Sequence, residues 1–188
     1  MKRILLSAVT VLVAVAMPFG DAGAQRRVVP FLGGGLAAGT GNLGEDTDNG
    51  WLAFAGVDFP LSLDPGLSFG VTASYAHVPY KGTFNEATNV PAFFGELGYV
   101  IAASSSSIVK PYLRAGAGVQ LRKYDPGTTG FREQSDGGLA FSGGGGLQFL
   151  VSAASVFVGA HFVGDADGGL LAFHGGVAFP GRAGAARR

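Results

Sequence analysis

Cysteine is absent from the 188-residue sequence, which removes a disulfide framework, a thiol nucleophile and a zinc–thiolate centre together. Stability must therefore come from burial and hydrogen bonding. A surplus of either charge is absent too: 13 basic residues balance 13 acidic ones, so there is no electrostatic case for a nucleic-acid partner. The apolar run at residues 4–17 falls short of the roughly 20 residues that a membrane-spanning helix needs. Glycine is plentiful at 33 residues, yet it follows no Gly-x-y period, and 47% of residues are hydrophobic. That composition argues against both collagen and disorder.

Residues 1–24 read as a secretory signal peptide. Lys2 and Arg3 precede the apolar run, Pro18 and Gly20 break it, and Ala22, Gly23 and Ala24 form a small-residue cleavage motif ahead of Gln25. Without Lys2, Arg3 and Asp21 the exported chain carries 11 basic and 12 acidic residues, a net of about −1. At about 160 residues it makes one domain of ordinary size.

That domain is organised by alternation with a period of two. Residues 108–122, IVKPYLRAGAGVQLR, put Val109, Pro111, Leu113, Ala115, Ala117, Val119 and Leu121 on one face. Lys110, Tyr112, Arg114, Gly116, Gly118, Gln120 and Arg122 fall on the other. One face is wholly apolar; the other is polar or tiny. The segment is about three times the modal globular strand and suits a tilted strand crossing a bilayer, lipid on one side and a barrel lumen on the other.

Seven more segments are read as strands, at residues 28–38, 51–59, 67–78, 91–101, 139–150, 156–163 and 169–179. In the first, the alternation is too blurred to assign faces. In the second, Trp51, Ala53, Ala55, Val57 and Phe59 face out and Asp58 falls inward. Leu67, Phe69, Val71, Ala73 and Tyr75 face out in the third. In the fourth, Phe93, Leu97, Tyr99 and Ile101 oppose Phe94, Glu96, Gly98 and Val100. Leu139, Phe141, Leu147 and Phe149 face out in the sixth, with Ser142 and Gln148 inward.

The expected architecture is all-β, an eight-stranded antiparallel up-and-down transmembrane β-barrel over residues 25–180, followed by a short basic tail at residues 181–188. Connections one, three and five are long and polar, whereas two, four and six are short, with connection seven a modest exception, which places both termini on the inner side of a membrane and connections one, three, five and seven outside. In that orientation Trp51, Tyr75, Tyr80, Phe93 and Tyr124 lie near the outer rim. Phe59, Phe69, Tyr99, Phe149 and Phe179 lie near the inner rim, so aromatic residues gird both interfaces.

The signal peptide, the eight segments, KPYLRAGAGVQ at residues 110–120 and FHGGVAF at residues 173–179 together resemble the OmpA/OmpX-like family of small outer-membrane β-barrels. The resemblance covers essentially the whole exported length. It implies the outer membrane of a Gram-negative-type bacterium, contact with its lipid and lipopolysaccharide, and a monomer with a structural or surface-interaction role rather than a wide pore. Phe173, Gly175, Val177 and Phe179 share one face, similar to the C-terminal aromatic pattern such proteins present to the barrel-assembly machinery. Family members commonly end at that aromatic, whereas PGRAGAARR follows here.

Candidate functional residues lie on the inward faces. If the fourth connection centres near Ser105, Glu96 and Arg114 sit opposite each other. A barrel of eight strands is just wide enough to be filled by side chains, and an unpaired charge inside would cost several kcal/mol. Glu96, Arg114, Tyr112 and Gln120 are therefore expected to form a structural lumen network. No catalytic, metal-binding or cofactor-binding residue is expected, and no cofactor.

Residues 39–44, GTGNLG, match GxGxxG, but the EDTDNGW that follows offers no helix for a nucleotide fold. Glu45, Asp46 and Asp48, and the pair Asp165 and Asp167, lack the spacing of a calcium loop. The enzymatic alternative is a membrane-embedded lipid A-modifying hydrolase, which needs a base within reach of a nucleophile. His77, His161 and His174 have no serine two residues away, which leaves only cross-strand contacts, for example with Ser142.

Overall fold

The computed structural model describes residues 28–61, 64, 66–82, 86–101, 107–126, 134–151, 154–166 and 168–179. The expected signal peptide and basic tail lie outside the described residues. Among the described residues eight strands follow one another: β1 (Val29–Gly41), β2 (Gly50–Pro60), β3 (Leu67–Pro79), β4 (Ala87–Val100), β5 (Val109–Asp125), β6 (Gln134–Val151), β7 (Ala154–Asp165) and β8 (Gly168–Ala178). Each pairs antiparallel with the next, and β8 pairs with β1 to close the barrel. This is the up-and-down architecture that the alternation predicts.

The register around the wall is staggered. Following register partners from Val29 through Asp58, Gly70, Glu96, Gly116, Ser142, Val163 and Leu170 leads back to β1 at Gly39, ten residues (39 minus 29) beyond the start. With ~3.3 Å per residue and ~4.8 Å between strands, that stagger over eight strands tilts each by about 41°, inside the range of closed barrels. Tilt also explains strand length, because a leaning strand needs more residues to climb the same wall. β4 begins four residues before residue 91, and β5 runs on to Asp125. These extensions are polar (Thr88, Asn89, Lys123), so hydropathy does not reveal them.

Inside and outside separate by parity, as expected. Outward positions such as Leu36, Phe93, Leu113, Leu139 and Phe173 are exposed, while Phe94 and Glu96 are buried to 1% and 2%. The first strand also resolves: Phe31 and Ala37 point in, Leu32 and Leu36 out. Midway up the outer wall the residues are small on every strand. Gly34 lies beside Gly175, Ala55 beside Ala73, Gly95 beside Ala117, Ala115 beside Gly143, and Gly145 beside Ala160.

The outer half of the lumen is apolar. Ala37, Leu52, Ala76, Val78, Val90, Leu170 and Ala172 form one buried cluster, and Ala92, Phe94, Ala140 and Val163 a second. The first connection, expected to be a polar loop, instead contains a five-residue helix, α1 (Asn42–Asp46). Its Leu43 packs on the first cluster, so the segment folds over the barrel mouth. Lys81 holds it there by donating to the carbonyls of Gly44 and Glu45 at 3.1 and 2.8 Å. Tyr80 and Tyr124 stack edge to face at 5.4 Å. Thr88 on the lumen side donates to the Tyr80 hydroxyl, so this pair sits at the mouth rather than in the outer girdle.

Candidate functional site

Below the apolar layer the inward positions carry charge. Arg114 on β5 reaches across the lumen to Asp58 on β2, donating from Nη2 to Oδ1 at 2.6 Å and from Nη1 to Oδ2 at 3.4 Å. Its Nε lies 3.4 Å from Oε2 of Glu96 on β4. Space for this fork comes from Gly70 on β3, where a Cβ would collide with the Asp58 carboxylate and the Arg114 guanidinium. The two charges are therefore accommodated by a missing side chain on a neighbouring strand.

Glu96 is the most enclosed charge. Thr72 on β3 donates to its Oε2 at 2.5 Å and Ser142 on β6 to its Oε1 at 2.8 Å. His161 on β7 places Nε2 3.4 Å from the same Oε1. His174 on β8 meets His161 edge-on at 6.1 Å, and its Nε2 is 3.2 Å from the Tyr112 hydroxyl. The Arg114 guanidinium rests on the Phe31 ring of β1 at 4.6 Å. All eight strands thus contribute to a single cross-lumen cluster, β5 with both Arg114 and Tyr112. Charge-assisted bonds of this kind are strong in a low-dielectric interior, provided every partner is present.

The placements sharpen the sequence reading in three ways. Glu96 is directly opposite Gly116, and Arg114 opposite Gly98, so the strands are shifted by two residues from a turn centred near Ser105. The long Arg114 side chain spans that offset. Tyr112 joins the cluster through His174. Gln120 does not: it donates to Asp165 at 2.8 Å, in a separate group where Arg122 also donates to Asp165 at 2.9 Å. The separation follows from six residues of extended chain between Arg114 and Gln120, about 20 Å, with only Gly116 and Gly118 facing inward between them.

Asp58, Thr72, Ser142 and His161 are members that sequence reasoning did not connect to Glu96 and Arg114. Their inward parity was readable for Asp58, Thr72 and Ser142, but partners 24 to 56 residues apart carry no local signal. Of the three histidines, His161 and His174 line the lumen and His77 faces outward. Ser142 directs its hydroxyl to Glu96, not to a histidine, which is not the nucleophile–base pairing that hydrolysis needs. Asp165, considered above as a cation ligand, is paired with Arg122.

Beneath and beside the cluster, rings of Phe31, Phe54, Phe157 and Tyr112 pack at centroid distances of 6.0–6.4 Å. A cavity of about 100 Å³ remains between them, lined also by Asp58, Arg114, His161 and His174. It extends towards the inner strand ends at Ser68, Gln148 and Ala178. On the other side Leu52, Phe94 and Val163 bound it.

Several solved β-barrels are similar to this chain in fold. Neisserial surface protein A aligns over 82% of this chain and 97% of its own, with 13% identity and a TM-score of 0.63. Ail, the attachment invasion locus protein of Yersinia pestis, aligns over 83% and 99% at 12% identity and a TM-score of 0.54. It has also been solved in complex with the heparin analogue sucrose octasulfate. The N-terminal β-barrel domain of Pseudomonas aeruginosa OprF aligns over 82% and 97% at 15% identity and a TM-score of 0.53. At these identities the likeness is one of fold. No family model matches the sequence, and no curated protein sequence matches it.

Proposed function

We propose that the chain is an integral outer-membrane β-barrel with a closed lumen, exported by its N-terminal signal sequence. Its body is a monomeric scaffold in the cell envelope, and its outer rim and connections meet lipopolysaccharide and outside partners. The observation that carries this reading is the apolar outer wall. Leu32, Leu36, Leu97, Leu113, Val119, Leu139, Phe141 and Phe173 stand exposed around the barrel, a contiguous surface far beyond the few hundred Å² that soluble monomers tolerate. Lipid is the solvent that suits it.

The role is structural rather than porin-like because the cross-lumen cluster and the two apolar clusters fill the interior at successive heights. The fold shared with three outer-membrane barrels supports the location. Ail's complex with a heparin analogue supports an anionic saccharide as the kind of group a barrel of this fold can meet. Phe173, Gly175, Val177 and Phe179 supply the pattern for the barrel-assembly machinery. Nothing in the placement of Ser142 and the histidines favours the lipid A hydrolase.

Cell fractionation tests the proposal. The mature protein should extract with detergent from the outer membrane, with an electrophoretic mobility that changes on heating. Recovery in the soluble periplasmic fraction would overturn it. In planar bilayers the refolded barrel should show no porin-sized conductance steps.

A further inference from the structure

The charge inside the barrel does not balance. Among the described residues, only Arg114 and His161 come within ion-pair distance of Asp58 and Glu96. Two carboxylates thus share one permanent cation, and the cluster carries a net negative charge whenever His161 is neutral. In a low-dielectric interior such a deficit favours uptake of a further positive charge. Lys110 does not supply it, because it stands four residues before Arg114 on β5, about 13 Å lower along the strand.

Asp58 is the more open of the two carboxylates, its side chain 21% exposed against 2% for Glu96. Its Oδ1 takes the 2.6 Å bond from Arg114, but Oδ2 has only the 3.4 Å contact. Acceptor capacity is therefore left over, since a carboxylate offers about four lone-pair sites. Both carboxylates line the cavity of about 100 Å³, together with Phe54, Phe157 and Tyr112. The cavity reaches the inner strand ends at Ser68, Gln148 and Ala178, and Leu52, Phe94 and Val163 of the two apolar clusters cap its outer side.

We infer that the inner half of the lumen is a binding pocket for a small organic ammonium ion that enters from the inner strand ends. The ammonium sits against Asp58 Oδ2, and its methyl or methylene groups pack on Phe54, Phe157 and Tyr112. Aromatic rings attract such a cation, but they do not replace the water shell of a small inorganic ion. The volume is that of about three waters at ~30 Å³ each, which limits the ligand to a compact ion. Binding brings the cluster to neutrality and leaves the Arg114 fork in place. Blocked above by the apolar layer, the ion is held rather than conducted. The pocket is independent of what the outer wall and rim meet.

Tetramethylammonium is the probe, added to isotope-labelled protein refolded in dodecyl maltoside, a detergent without an ammonium headgroup. The titration is run at about pH 8, where a histidine of ordinary pKa, ~6.5, is neutral. The expected result is a saturating change in the amide shifts of Asp58, Tyr112 and Phe157, with none at Lys81 in the mouth. Sodium chloride at equal ionic strength and tert-butanol, a neutral molecule of similar size, should not reproduce it. Asp58→Asn should weaken binding about tenfold, the scale of one charge-assisted contact. Ser68→Leu, which fills the opening and leaves every charge in place, should abolish it. The dispersion of each amide spectrum reads folding separately, so an Asp58→Asn variant that does not fold leaves Ser68→Leu and the tert-butanol arm to decide. A folded parent with no saturating change, an equal response to sodium or tert-butanol, or a folded variant of either kind that titrates like the parent overturns the inference.

Discussion

The two halves of the lumen are filled by opposite means. The outer half is packed with Ala37, Leu52, Ala76, Val78, Phe94 and their neighbours, whose cohesion depends on shape and volume. The inner half is held by Arg114, Asp58, Glu96 and their hydrogen-bond partners, whose cohesion depends on every member being present. A hole in the first costs in proportion to its size, whereas a missing partner in the second leaves a charge stranded in low dielectric.

The largest expected effect comes from stranding charge. Arg114→Ala should lower unfolding stability in urea by about 3–5 kcal/mol, because Asp58 and Glu96 lose their cation. If the comparison holds, combining Arg114→Met with Asp58→Asn and Glu96→Gln should recover much of that loss, since neutral groups need no counter-charge. Phe94→Ala in the apolar layer should cost about 3 kcal/mol through the cavity it leaves. No neutralising partner change should recover it, and a charge-removal rescue there would break the distinction.

Smaller effects separate the faces of the wall. Gly70→Ala places a methyl against the Asp58–Arg114 fork and should cost about 1–3 kcal/mol, as overpacking does. Removing one hydroxyl in Tyr112→Phe should cost about 1 kcal/mol, by loss of its contact with His174. Gly143 faces outward, with the nearest non-adjacent atom to an added Cβ 4.0 Å away. Gly143→Ala should therefore stabilise by about 0.4–1 kcal/mol, through the less flexible unfolded chain. All can be read from the same urea titration in lipid vesicles, so the sign change between Gly70 and Gly143 is an internal control.

Much of the fold is legible in the sequence. Strand number, direction and facing follow from residues that report on themselves: Leu113 and Val119 against Arg114 and Gln120, or Phe93 and Leu97 against Phe94 and Glu96. Strand ends were less legible because Thr88, Asn89 and Lys123 extend the ladder beyond the apolar wall, where no hydropathy marks them. The segment before Gly50 read as a loop although Leu43 is in it, since one leucine among acidic residues does not announce that it will plug a mouth.

The candidate site divides along the same line. That Glu96, Arg114, Tyr112 and Gln120 point inward was decided by local order alone, because a strand turns alternate side chains to opposite faces whatever lies across from it. Which of them meet was decided by the closed barrel. Its ten-residue stagger sets the height of every strand against every other, bringing Asp58 to Arg114 across the lumen and leaving Gln120 with Asp165 nearer the mouth. Parity is a property of neighbouring residues, but stagger is a property of closure, and it exists only once β8 has joined β1.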